Sequence, residues 1–138
     1  LQAYTERDTN IFLENGYLVL QGLIDPGFSG TDYNGNNYNA DYTSGRVNTD
    51  DKFSATYGRF DIRAKLPYGQ GLWPALWMLG ENIYSVSWPT CGEIDIMEMV
   101  GGNGDNDRKV ADAVMRGSPL IVTVMFAALQ PPLRMAMR

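Results

Sequence analysis

Glu93, Asp95 and Glu98 put three carboxylates within six residues, spaced by large apolar side chains in Gly92–Val100. A crowded set of carboxylates can divide labour. One holds a proton while another acts as an anion, because each charge pushes its neighbours' pKa values apart. The alternation across Ile94 and Ile96 reads as a half-buried strand. Strand side chains alternate faces, so Glu93 and Asp95 share one face while Ile94 and Ile96 take the core side. A regular strand would carry Glu98 into the core, where an unpaired carboxylate is costly. One extra residue at Ile96 or Met97, a β-bulge, returns Glu98 to the face of the other two; bulges are over-represented beside active sites. Glu93 and Glu98 then stand about four strand steps apart, roughly 13 Å between Cα atoms. Side chains leaning inward over a concave sheet would bring the carboxyls to the ~5–5.5 Å of retaining glycoside hydrolysis. A solvated strand face, or part of a metal site, is the alternative that the spacing leaves open.

Composition narrows the chemistry. The chain has 138 residues, 44% hydrophobic and 12% aromatic, enough to bury one core and too few for two comfortable domains. A net charge of −5 argues against nucleic acid or an anionic membrane as partner and fits a neutral ligand. Histidine is absent, which excludes a Ser-His-Asp or Cys-His site and a histidine-ligated metal within these residues. Cys91 is the single cysteine and reads as a small apolar filler two residues before Glu93. The longest apolar run, Leu120 to Leu129, is too short to span a membrane. The chain starts at Leu1 with no signal-peptide pattern, so a processed product or a fragment is expected.

The elements that position the carboxylates follow in order. Ile11–Glu14 and Tyr17–Gln21, joined by Asn15-Gly16, predict a tight hairpin. Asp25 to Ser44, rich in Gly, Asn, Asp and Tyr, reads as a long surface loop. Gly45–Thr49 is a short strand. Tyr57–Leu66 is a longer one, with Phe60, Ile62, Ala64 and Leu66 on one face and Arg59, Asp61, Arg63 and Lys65 on the other. Leu72–Leu79 is the next strand. Trp73, Ala75, Trp77 and Leu79 share a face, and the two Trp make either an apolar platform for a sugar ring or part of the core. Pro74 cannot donate to a ladder, which predicts an edge or a bulge there. Trp88-Pro89 leads into the carboxylate strand.

The tail differs. Residues 1–110 hold 8 Lys+Arg and 15 Asp+Glu, and residues 111–138 hold 3 and 1, so the charge changes from −7 to +2. Four of the seven Met lie in this tail. Ala111–Met115 reads as helical, Leu120–Leu129 as a strand, and Pro131-Pro132 as a break. Short strands with turn-rich connections predict an all-β sandwich or barrel.

Tyr42–Arg46, Tyr57–Phe60, Gly71–Gly80 and Gly92–Gly101, in this order over roughly residues 1–104, resemble glycoside hydrolase family 16. They look most like its laminarinase-type endo-β-1,3-glucanases. The resemblance implies a concanavalin-like β-jelly-roll sandwich with a concave cleft, and retaining hydrolysis of β-1,3-glucan polysaccharide, extracellular or secreted. It also implies the roles. Glu93 matches the nucleophile, Glu98 the general acid/base, and Asp95 the carboxylate that assists between them. Trp73, Trp77, Trp88 and Arg46 match substrate-binding positions. The extra residue at Met97 is similar to laminarinases, agarases and carrageenases rather than lichenases. A galactan hydrolase of the agarase or carrageenase type, or an inert glucan-binding fragment, are the alternatives. No cofactor is expected, and calcium, known in the family, is not supported by these residues. The segment from about Ala111 resembles nothing in the family. Residues 1–110 are therefore expected to be a partial family domain, incomplete at both ends, and residues 111–138 an atypical tail, out of frame or otherwise non-native. A partial sandwich with open sheet edges is the structural expectation that follows.

Overall fold

A computed structural model gives the fold; the residues it describes are 1–102, 120–128 and 133–137, with side chains for 1–102, 121 and 122. The expected helix over Ala111–Met115 lies outside the described residues.

Along the chain run β1 (Gln2–Tyr4), β2 (Ile11–Glu14), β3 (Tyr17–Thr31), β4 (Asn37–Ser44), β5 (Arg46–Asn48), β6 (Ser54–Ala55), β7 (Ala64–Lys65) and β8 (Leu72–Gly80). A four-residue helix, α1 (Ile83–Val86), follows, and then β9 (Glu93–Glu98), β10 (Leu120–Ala128) and β11 (Leu133–Met137). These strands form two sheets. One has the order β1-β4-β3-β11-β7 with β2 also paired to β3; the other has the order β5-β10-β8-β9 with β6 paired to β10. Leu20 from the first sheet and Leu72 and Leu76 from the second are buried together, with Ile11, Leu18, Val47, Ile62, Ala64, Leu66, Ile96 and Met97 packed around them. The apolar faces of both sheets thus close on one core, which is the all-β sandwich that the strand pattern predicts.

The Asn15-Gly16 hairpin is present, joining β2 to β3 with positive φ at both turn residues (52° and 80°). That matches the turn twist to the strand twist. Gly45 is the corner at which the chain leaves the first sheet for the second. A Cβ there would lie 2.6 Å from the Asn10 carbonyl oxygen, so the crossing accepts no larger residue. The strand expected over Gly45–Thr49 is β5, and the strand expected over Leu120–Leu129 is β10. Its backbone pairs with β8 over nine residues, from Leu120↔Gly80 to Ala128↔Leu72.

Three expectations are corrected. Asp25–Ser44 is not a loop: β3 and β4 pair across most of it, with a register shift between Ile24 and Phe28 and a turn at Asp32–Asn36. Gly and Asn suggested a loop because they mark the shift at Pro26-Gly27 and the turn, where Asp32 Oδ1 accepts the Asn34 and Asn36 N–H groups at 2.9 and 2.8 Å. After the turn Tyr38 and Ala40 alternate inward with exposed Asn37, Asn39 and Asp41, as a strand requires. Tyr57–Leu66 keeps its alternation, Phe60, Ile62, Ala64 and Leu66 being less exposed than their neighbours, but only Ala64–Lys65 is laddered. Alternation reports an extended chain over a core; a ladder also needs a neighbouring backbone, which β11 supplies at two residues. Pro74, finally, lies in a strand paired on both sides. Its carbonyl accepts the Met99 N–H at 3.1 Å and it has no N–H to return, and β9 ends one residue earlier, at Glu98.

Candidate active site

The register of β8 against β9 decides where the carboxylates face. Leu79 opposes Glu93, Trp77 opposes Asp95 and Ala75 opposes Glu98, while Leu76 opposes Met97 and the register shifts between Leu76 and Trp77. Ile96 is therefore the extra residue of a β-bulge, and Ile96 and Met97 both pack on the core. Directly opposed residues share a face. All three acids consequently lie on one face with Trp77, and the buried-carboxylate conflict of a regular strand is removed. The bulge expected from the position of Glu98 is present.

Two indoles grip the outer acids. The Trp73 Nε1–H donates to Glu98 Oε1 at 2.9 Å, and the Trp88 Nε1–H donates to Glu93 Oε2 at 2.7 Å. An indole N–H only donates, so each bond fixes an accepting oxygen on its carboxylate. Trp73 and Trp88 remain 47% and 63% exposed, which leaves ring surface available to a ligand. Trp73 therefore does more than form the platform read for Trp73 and Trp77, since it also orients an acid, as Trp88 does. Trp88 comes from the connection between α1 and β9, and nothing in its local sequence signals this bond.

Asp95 sits between them. Burial first, then the negative charges of Glu93 and Glu98 and a hydrogen bond with Glu93, raise its pKa from 3.8 to about 6. A bond between two carboxyl groups needs one proton, and Asp95 is the group pushed to hold it. The shift carries a stability consequence. The folded value lies above the ordinary one, so the contribution of Asp95 is fully present below about pH 4 and is lost as pH rises through about 6. Asp95→Asn is expected to remove that loss, leaving the variant more resistant to denaturant than the parent at pH 7–8 and no better at pH 4. Urea unfolding at the two pH values checks this, and an equal change at both would refute the assignment.

β5 brings Arg46 to the same face. It reaches β8 through β10, in the register Arg46↔Met125↔Ala75 and Asn48↔Thr123↔Trp77. The Arg46 guanidinium lies over the Tyr4 ring, 5.2 Å from its centroid. Beside it a hollow of about 180 Å³ is lined by Arg46, Asn48, Asp50, Trp77, Leu79, Ile83, Tyr84 and Ile121. Of these, the sequence pointed to Arg46 and Trp77. Asn48, Asp50 and Tyr84 carry no motif, because their meeting depends on β10 joining β5 to β8. Among the described residues, no group of three or more His, Cys, Asp or Glu is arranged to hold a metal ion, and no helix is long and apolar enough to cross a membrane.

This is an acid-lined face of a β-sandwich with aromatic flanks. A family model described as "XgeA-like, catalytic GH16 domain" matches residues 23–111. The chain belongs to glycoside hydrolase family 16. It is similar to glucan endo-1,3-beta-glucosidase A1 of Niallia circulans, 46% identical over 101 residues, and to a beta-glucanase of Rhodothermus marinus, 46% identical over 108 residues. Those alignments cover 73% and 76% of this chain but 14% and 34% of the relatives' lengths. In structure it is similar to the laminarinase catalytic domain of Thermotoga maritima, with TM-score 0.70 and 30% identity, covering 97% of this chain and 79% of that one. The family 16 sandwich is a β-jelly roll, and the two sheets here have that fold.

Proposed function

We propose that this family 16 chain hydrolyses internal β-1,3-glucosidic bonds of laminarin-like glucans with retention of configuration. The observation that carries the reading is the bulge at Ile96, which puts Glu93, Asp95 and Glu98 on one face of one strand with an indole donor on each outer acid. The similarity to glucan endo-1,3-beta-glucosidases and to a laminarinase supports glucan as the substrate. Glu93 attacks the anomeric carbon while Glu98 protonates the departing glycosidic oxygen. Water then cleaves the glycosyl-enzyme, with Glu98 taking its proton. The Trp88 N–H and the proton on Asp95 hold Glu93 from two directions, so its attacking oxygen is oriented before substrate arrives. Trp73 does the same for Glu98. Exposed ring surface of Trp73 and Trp88, with Trp77 and Arg46, receives the sugar chain.

The substrate is a secreted enzyme's substrate, an extracellular polysaccharide. Residues 1–110 are read as the family domain and residues 111–138 as an atypical continuation that lends β10 and β11 to the two sheets. The test is reducing-end release by purified chain from laminarin, with agarose and carrageenan alongside. Release from laminarin supports the glucanase; release from a galactan alone replaces it with a galactan hydrolase. Binding without release from any of them leaves a glucan-binding module.

Trp88→Phe keeps an aromatic ring for stacking and deletes the donor to Glu93, along with part of the indole's surface. A hydrogen bond to a charged acceptor contributes ~1.5–3 kcal/mol, and the exposure of Trp88 favours the lower end, so kcat is expected to fall about tenfold. A fall in affinity with kcat unchanged would instead assign Trp88 to sugar stacking alone.

A further inference from the structure

Arg46 stands on the face of the acids, and the residue that holds it comes from the other sheet. Val47 packs on the core, so its neighbours in β5, Arg46 and Asn48, turn to the opposite face, where both are exposed. In one row across that sheet Arg46 opposes Met125, Met125 opposes Ala75, and Ala75 opposes Glu98. Three strand spacings, roughly 14 Å, therefore separate the backbone of Arg46 from that of Glu98. Tyr4 reaches Arg46 through the path of the chain. β1 runs parallel to β4 in the first sheet with Tyr4 opposite Ser44, and the Thr5 N–H donates to the Ser44 carbonyl at 2.9 Å. The next residue, Gly45, makes the crossing between the sheets. A Cβ there would lie 2.6 Å from the Asn10 carbonyl oxygen and 2.8 Å from the Ile11 side chain, so the backbone just before Arg46 is tightly placed. The Arg46 guanidinium then lies over the Tyr4 ring, its Cζ 5.2 Å from the centroid. The charge is felt there: burial raises the pKa of the Tyr4 hydroxyl, and Arg46 pulls it back down.

A long side chain at an exposed strand position samples many rotamers, and ordering it on a ligand costs conformational entropy. An aromatic ring beneath the guanidinium lowers that cost before the ligand arrives. It acts through its face, which leaves the N–H groups of the guanidinium to donate. A carboxylate holding the same arginine would consume them in a bidentate pair. We propose that Tyr4 is a positioning residue, whose ring holds Arg46 ready to donate to glucan hydroxyls at a distance from the bond that is cleaved. Tyr4 touches no sugar and acts through Arg46 alone. This role rests on the glucanase reading and extends it to a residue of the opposite sheet.

The test is calorimetric titration with laminaritetraose of the full chain carrying Glu93→Gln, so that the ligand is not consumed. Tyr4→Leu, Tyr4→Phe, Arg46→Ala and the Tyr4→Leu/Arg46→Ala pair are compared in that background. Tyr4→Leu removes the ring face and is expected to weaken binding about fivefold, the upper part of the range for an exposed cation–π pair. Tyr4→Phe keeps the face and should recover most of that loss. Arg46→Ala should weaken binding about tenfold, and adding Tyr4→Leu to it should cost nothing more. A general loosening of β1 would weaken binding equally with or without Arg46, so near-additive losses would overturn the positioning role. So would a Phe variant as weak as the Leu variant, or Tyr4→Leu or Arg46→Ala binding as tightly as the parent. Tyr4→Met, which also lacks the ring, takes the place of Tyr4→Leu if the latter shows no cooperative thermal melt. Failure of laminaritetraose to bind a parent that melts cooperatively would overturn the glucan reading and this role with it, whereas binding that none of the variants weakens would overturn this role alone.

Discussion

Reducing-end release from laminarin is expected to fall by roughly 10³-fold or more in Glu93→Gln, because the amide is isosteric with the carboxylate and is no nucleophile. Loss of a general acid/base contributes ~10²–10⁴-fold, so Glu98→Gln should fall within that range. Rates alone do not separate the roles; added azide does. In Glu98→Ala the nucleophile remains, azide intercepts the glycosyl-enzyme, and the product keeps the β configuration. In Glu93→Ala azide attacks the substrate directly and gives the α-glycosyl azide. The opposite stereochemical outcomes would exchange the two assignments, and activity persisting in Glu93→Gln would remove Glu93 from the mechanism. The bond from Trp88 to Glu93 and the bond from Trp73 to Glu98 predict that the alanine variants also free an indole each. Their tryptophan fluorescence should differ from the parent's even without substrate.

The largest stability effect is expected at Leu20. It is fully buried at the meeting of the two sheets, against Leu72 and Leu76. Its strand is paired on both sides, with Ile11 opposite on one neighbour and Met135 on the other. Truncating such a residue removes its transfer free energy and leaves a cavity that paired backbones cannot close. Leu20→Ala should therefore cost about 2–5 kcal/mol. For a domain of this size that lowers Tm by roughly 8–20 °C. Leu13, two residues before the hairpin turn and 80% exposed, is the control: Leu13→Ala should stay within about 0.5 kcal/mol. Thermal melts of the two variants give the comparison, and equal shifts would mean that the core does not lie where Leu20, Leu72 and Leu76 meet.

The acids illustrate how much of a site a sequence can hold. Alternation along Gly92–Val100 and the cost of burying Glu98 were enough to require a bulge, because side-chain parity and desolvation are local constraints. The structure puts the extra residue at Ile96, a choice between two positions that only the pairing with Leu76 and Trp77 makes. The Asn15-Gly16 turn, the face shared by Trp77 with the acids, and the inward set from Phe60 to Leu66 were legible for the same local reason. Pairing was not. β3 and β4 were hidden in Asp25–Ser44 because Gly and Asn mark irregularities at a few points, while the intervening strands depend on each other's backbones.

What the sequence determined by itself is thus the all-β character, the acid strand with its bulge, and, through four motifs, the family. These are set by parity, turn chemistry and residue identity along short stretches. Only the tertiary structure decided which indole nitrogen meets which carboxylate, and that β10 lies between β5 and β8. It alone brought Asp50 and Tyr84 together, 34 residues apart in the chain. Contacts of that kind follow from sheet order and from the path of connections between strands, and no periodicity within one segment encodes its neighbour.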